Sequence, residues 1–225
     1  RKAASEWGWC KDEFVNNKHV PRQVYVRQGR RILGEYVFTQ RDAELVPELQ
    51  RPRLQTPSIG LVEFAFDSHG VHKYDPKFPG VREGYIYINH DPMQLPYGIL
   101  VPRKVDGLLV AVACSASHVG YQTIRMEPVF MALGQACGLA AQQSAASGVA
   151  VRKIDTAKLQ RTLAEQRGAI TFYEDLPFDH RAFAAFQFLG ARGLNPGYKA
   201  TPEMKLSRRD GSVKLGRILK ALGKE

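Results

Sequence analysis

Cysteine is scarce. The 225-residue chain holds three, Cys10, Cys114 and Cys137, in no CxxC or zinc-finger spacing, so neither a metal module nor a disulfide framework is indicated. Two of them sit in apolar runs and read as small buried hydrophobes. Long hydrophobic runs are missing too. No stretch reaches the ~18–20 apolar residues that a membrane helix needs. No signal-peptide pattern opens the chain, which starts at Arg1-Lys2-Ala3-Ala4, as a fragment or a processed chain would. Nucleic-acid motifs, a GxSxG nucleophile elbow and internal repeats are all absent.

What is there suits a globular protein. Hydrophobic residues make up 44% of the chain and charged residues 24%, enough to build a core without staples. The formal charge is +10, but Lys and Arg are scattered. Their densest cluster is C-terminal (Lys205, Arg208, Arg209, Lys214, Arg217, Lys220), and nucleic acid is not expected as a partner.

The pattern along the chain is mixed α/β. Residues 1–20 read as helical up to Pro21. Gln23–Arg27 and Ile32–Phe38 read as two strands of a hairpin turning at Gly29. Thr39 is the N-cap of a short helix around Asp42–Leu45. Ile59–Phe66 and Tyr85–Ile88 read as strands, and Leu95–Pro102 as extended chain bounded by prolines. Gly107–Cys114 is continuously apolar and predicts a strand buried on both faces, as in a parallel sheet. A loop, Ser115–Arg125, leads to a long helix from Pro128 to Ala146, ended by Ser147-Gly148. Gly134, Gly138, Ala141 and Ala145 form one flat stripe on it, suited to close packing. A further helix runs from Thr156 to Arg167 behind an Asp155 cap, with Ile154 and Leu159 as a staple. After Ile170 an aromatic helix (His180–Ala191) and a basic helix (Arg208–Leu222) follow. This divides the chain at 169/170 into a main region and a small helical tail.

Five blocks, in order, carry a resemblance. They are Pro21–Tyr36, Asp67-Ser68-His69-Gly70, Leu95-Pro96-Tyr97-Gly98-Ile99-Leu100-Val101-Pro102, Asp106–Ala111, and Ser115-Ala116-Ser117-His118 with Ile124–Ala141. Together they resemble the C-terminal part of the bacterial FAD-dependent oxidoreductase family. The tail, Phe172–Leu222, is weakly similar to an S-layer homology repeat, which implies an extracytoplasmic or cell-surface setting. The first resemblance implies a Rossmann-like FAD-binding layer, present here only in part and completed by the strand at 107–114 and the long helix. It also implies a substrate-side sheet over 22–101, an FAD cofactor and a small organic substrate. The family opens with a GxGxxG turn whose helix N-terminus holds the pyrophosphate. This sequence has no GxGxxG. That half is expected in cis or on another chain, and without it the apolar strand lacks neighbours, so oligomerisation or rearrangement is expected.

The resemblance assigns residues 107–146 to the flavin ring. Reduced flavin gathers negative charge on its pyrimidine edge, where free amides and the positive end of a helix stabilise it. The candidate cofactor residues are Ser115, Ser117, His118, Arg125, Met126, Glu127, Pro128 and Val129. Arg125 either faces the cofactor or pairs structurally with Glu127 or a carbonyl. His69, oriented by Asp67, is the candidate base for proton removal. The other reading of Asp67–Gly70 is a structural turn. Asp67, His69 and His72 stand too close in extended chain to converge on a metal, and none is expected. The function implied is oxidation of an organic substrate by hydride transfer to FAD. The rival is a non-catalytic derivative of the scaffold that docks a partner or an anionic surface polymer.

Overall fold

The computed structural model describes residues 12–20, 22, 27–68, 76–77, 79, 85–221 and 223. Its floor is an antiparallel pair, β3 (Ser58–Val62) with β6 (Met93–Pro96), in register from Gly60 opposite Leu95 to Val62 opposite Met93. Nearly every residue of the pair is buried, because helices pack over it. Two further antiparallel pairs are short: β1 (Leu45–Val46) with β2 (Arg51–Pro52), and β4 (Phe66–Ser68) with β5 (Ile86–Ile88). The class is therefore mixed helix and small antiparallel sheet. The strand expected over Ile59–Phe66 is broken at 63–65 as the chain changes partner from β6 to β5.

Among the described residues five α-helices follow: α1 (His118–Ile124), α2 (Glu127–Ser147), α3 (Thr156–Glu165), α4 (Phe183–Gly190) and α5 (Arg208–Ala221). The helix starts follow the sequence closely. Pro128 sits in the first turn of α2, and Gly148, at φ 67°, closes it in the left-handed region, where a side chain would be strained. Asp155 caps α3 by accepting from the amides of Ala157 and Lys158 at 2.9 and 3.1 Å. Leu133, Ala136 and Ala140 of α2 join Leu159 and Leu163 of α3 in the main core. Ser207 caps α5 by accepting from the Asp210 amide at 3.1 Å.

Four expectations are corrected. Of the expected 1–20 helix, residues 1–11 lie outside the described residues, and Val15–Asn17 form a single 3-10 turn. In the expected hairpin, 23–26 lie outside, and Ile32–Phe38 is extended chain with only isolated bridges, Gly34 to Pro102 and Phe38 to Ala116. It threads between two other segments: the amides of Glu35 and Tyr36 reach the carbonyls of Val101 and Gly98, while those of Ile32 and Phe38 reach Ala113 and Ser115. Gly107–Cys114 is not a strand. Gly107, Leu108 and Val112 are exposed and only Cys114 is buried. A strand buried on both faces needs partners on both edges, and within this run the Val110 amide alone is drawn to a neighbour's backbone, at Leu100 O. The Ser115–Arg125 segment, read as a loop, is largely the helix α1.

The small-residue stripe of α2 faces outward: Gly134, Gly138, Ala141 and Ala145 are exposed, and Met131 beside them is 73% exposed. A methyl group added at Gly134 or Gly138 would touch nothing within 4 Å. The tail, by contrast, is stitched to the main body around 169/170. The Ile170 carbonyl accepts from Ser58 Oγ at 2.6 Å and Gln94 Nε2 at 3.1 Å, and the amides of Ile170 and Thr171 both reach Gln187 Oε1 of α4 at 2.8 Å. Arg51, 0% exposed, donates to Pro196 O at 3.0 Å and lies 4.7 Å over the Tyr198 ring.

One buried carboxylate organises the 36–55 region. Asp42 accepts from the Thr39 amide and from Gln55 Nε2, each at 2.7 Å, and from the Tyr36 hydroxyl. Thr39 returns a bond from Arg41 N, so the short helix, a 3-10 turn over Gln40–Ala43, carries a capping box. Asp42→Ala strips three donors of their acceptor and is expected to lower the unfolding free energy by about 2–4 kcal/mol, read from urea denaturation. Burial also shapes the pH response. It pushes the Cys114 thiol up to about 12 and Cys137 to about 11, from an ordinary 9.0, and the Tyr36, Tyr173 and Tyr198 hydroxyls to about 12 from 10.0. The folded chain keeps protons that the unfolded chain releases. Stability is therefore full below pH 9 and falls as pH rises from 9 towards 12; urea midpoints measured across that window check it.

Candidate functional site

The corner between α1 and α2 gathers most of the residues that the sequence singled out. Gly120 sets its depth: a Cβ there would lie 2.5 Å from Phe38 O and 2.9 Å from Thr39 Cα, so α1 lies flush on the extended chain. Ser117 caps α1, accepting from the Gly120 amide at 2.9 Å. Ser115 is buried, with no partner for its Oγ, and its Cβ faces Gly34. His118 is exposed, and its carbonyl accepts from Gln28 Nε2 at 3.1 Å.

Arg125 is anchored. Its side chain is 5% exposed. Nη2 donates to Asp67 Oδ2 at 3.0 Å and Asp67 O at 3.2 Å, and Nε to Gln122 Oε1 at 3.3 Å. The structural partner is thus Asp67 of β4, while Glu127 is exposed at the start of α2. His69 and His72 lie outside the described residues. The Asp67 carboxylate ties β4 to the α1–α2 corner.

At the start of α2, Pro128 offers no N–H, and the amides of Val129 and Phe130 both turn back to Met126 O at 3.0 and 3.1 Å. Among the described residues the Glu127 amide has no backbone acceptor, as expected in a first helical turn. Met126 and Val129 are half-buried, Glu127 and Pro128 exposed. A cleft of about 220 Å³ opens beside this end, lined by Arg27, Arg30, Tyr121, Arg125, Glu127 and Phe130 among others. Its basic rim was not singled out by the sequence, because Arg27 and Arg30 belong to a segment read as a hairpin.

A larger cavity, about 730 Å³, lies on the other side of β4 and α1. Phe66, Ile86, Ile88, Leu45 and Val119 form apolar walls, and Gln40, Glu44, Asn89, His90 and Asp91 supply polar groups. His90 is held on both sides: Nδ1 lies 2.8 Å from Asp91 O and Nε2 lies 2.7 Å from Phe64 O and 3.1 Å from Thr123 Oγ1, with its ring 4.7 Å from that of Phe66. Sequence reasoning missed this site. The signal was Asn89-His90-Asp91-Pro92 after the strand, which reads as an ordinary turn.

Among the described residues no group of three His, Cys, Asp or Glu side chains is placed to hold a metal ion, and no helix is long and apolar enough to cross a membrane. The arrangement suits one part of a large anionic cofactor. The arginine-rimmed cleft and the Glu127 amide match an electron-rich ring edge, whereas no glycine-rich turn for a pyrophosphate occurs anywhere in the sequence.

These features form a basic cleft at the start of a long helix, on a mixed helix and small-sheet scaffold. The family model described as FAD dependent oxidoreductase matches residues 2–163, and the chain belongs to that family. No curated protein and no solved structure matches it. The family's cofactor is FAD, and this chain carries part of the site.

Removing Asp67 leaves the Arg125 guanidinium buried and unpaired. Asp67→Ala is expected to cost about 3 kcal/mol, and Asp67→Ala with Arg125→Met distinctly less, because the second change removes the stranded charge. Guanidinium denaturation of the single and double variants measures both.

Proposed function

We propose that this chain forms the ring-facing and substrate-facing part of a flavin-dependent oxidoreductase, which oxidises an organic molecule by hydride transfer. A C–H bond beside a hydroxyl or amine breaks, its electron pair leaves with the hydrogen, and the O–H or N–H proton goes to a base as the C=O or C=N bond forms. FAD, when bound, supplies the two-electron acceptor. Everything else falls to the protein. Ser115, Ser117 and His118 form the loop beside the ring. The Glu127 amide, with Met126, Pro128 and Val129 around it, and the arginines of the cleft hold the ring's electron-rich edge. Arg125 fixes that corner through Asp67. His69 takes the proton.

The observation that carries this reading is the basic cleft at the open end of α2, in a chain of this family. A half bearing the glycine-rich pyrophosphate turn, in cis or on another chain, would cover the exposed face of α2 and the apolar run 107–112. Both are surfaces that a lone chain has no reason to leave bare. The rival reading, docking to an anionic surface polymer, draws on the exposed basic residues of α5, Arg208, Arg209, Lys214, Arg217 and Lys220.

Arg27→Glu with Arg30→Glu replaces two cations at the cleft by anions. In the FAD-loaded protein this is expected to shift the flavin midpoint potential to more negative values, because the reduced, more anionic form loses its stabilisation. Potentiometric titration reads the shift. An unchanged potential removes the cleft from the cofactor site.

A further inference from the structure

From the chemistry of the 730 Å³ cavity we infer that it receives a largely apolar organic amine in its cationic form. Its volume falls in the range of about 300–1,000 Å³ of small-molecule sites, and its walls are the side chains of Phe66, Ile86, Ile88, Leu45 and Val119. Such walls disfavour small polar molecules, whose desolvation nothing here would offset. They accept a hydrocarbon or aromatic body of several carbons.

The charge at its rim is the second observation. The protein carries +10, and the cleft on the other side of α1 is rimmed by arginines. Yet among the described residues the charged ones lining this cavity are Glu44 and Asp91, with no Lys or Arg beside them. Glu44 forms no ion pair with a described residue. Asp91 feels Arg51, which is buried behind it, and Tyr198, so its charge is partly offset and Glu44 is the stronger of the two. The ring nitrogens of His90 face the Asp91 and Phe64 carbonyls, so its ring serves as a wall tilted against that of Phe66. Gln40 and Asn89 add amide oxygens as acceptors. An ammonium group, which only donates, is what two carboxylates and such acceptors recognise.

Position fits as well. Val119 follows His118 directly, and Phe66 precedes Asp67, whose side chain points the other way to Arg125. The cavity and the basic cleft are therefore back to back across one strand and one helix. Calling the occupant the substrate rests on the oxidoreductase reading above, whereas its binding does not.

Three probes of one shape separate these ideas: 4-phenylbutylamine, 4-phenylbutanol and 4-phenylbutanoate, titrated calorimetrically into the full chain with and without FAD. The amine is expected to bind about tenfold or more tighter than the carboxylate, with the alcohol between them. Glu44→Gln with Asp91→Asn should level the three while the alcohol's affinity holds. Ile88→Ser, at an exposed wall position, removes apolar wall without adding charge and should weaken all three. Binding of the carboxylate as tight as the amine, an amine preference that survives the double substitution, or no binding of any probe overturns the inference. Amine binding without bleaching of the flavin in the FAD-loaded protein leaves the inference standing and counts against the oxidoreductase reading instead.

Discussion

The Arg125–Asp67 pair is the joint on which the rest turns. It is short, mostly buried and reinforced by Gln122 and by a carbonyl of the same strand. It holds β4 against α1 at the point where α1 hands over to α2. Just before that pair in both segments, Thr123 and His90 both approach the Phe64 carbonyl. These bonds make a three-residue strand a fixed partition. On one side of it stands a basic cleft at the start of a long helix, and on the other an apolar cavity with an acidic rim. A strand this short has too few ladder bonds to hold its own position, so the side chains of α1 do it.

The partition explains the division of labour in the proposed reaction. In that proposal, negative charge on a reduced ring would meet the arginines of the cleft, while the cavity across β4 presents carboxylates and hydrocarbon. Opposite polarities a few ångströms apart are hard to maintain in a single open pocket, because solvent and counterions level them. A protein wall between them keeps each field local.

Much of the helical scaffold was legible in the sequence, for local reasons. Pro128, Gly148, Asp155 and Thr39 each act within a turn of where they stand, and each marks the boundary it was expected to mark. The strands were less legible. Gly107–Cys114 has the composition of a central strand, but a strand exists only through continuous ladders, and within the described residues this run makes only scattered backbone bonds, to Leu100 and Ile32. The stripe of Gly134, Gly138, Ala141 and Ala145 tells the same story: the sequence is fit for close packing and the surface is left bare. Both features agree with the family membership and with a site that is only part of a whole.

The site divides in the same way. Sequence alone pointed to the family and the cofactor, because ordered motifs and caps are local and survive in one dimension. Tertiary structure alone decided that Arg125 answers to Asp67, 58 residues away, and that Arg27 and Arg30 rim a cleft. It also decided that Glu44 and Asp91, unremarkable where they stand in the chain, face one cavity. Charge and burial depend on what lies across space, and only folding brings those neighbours together.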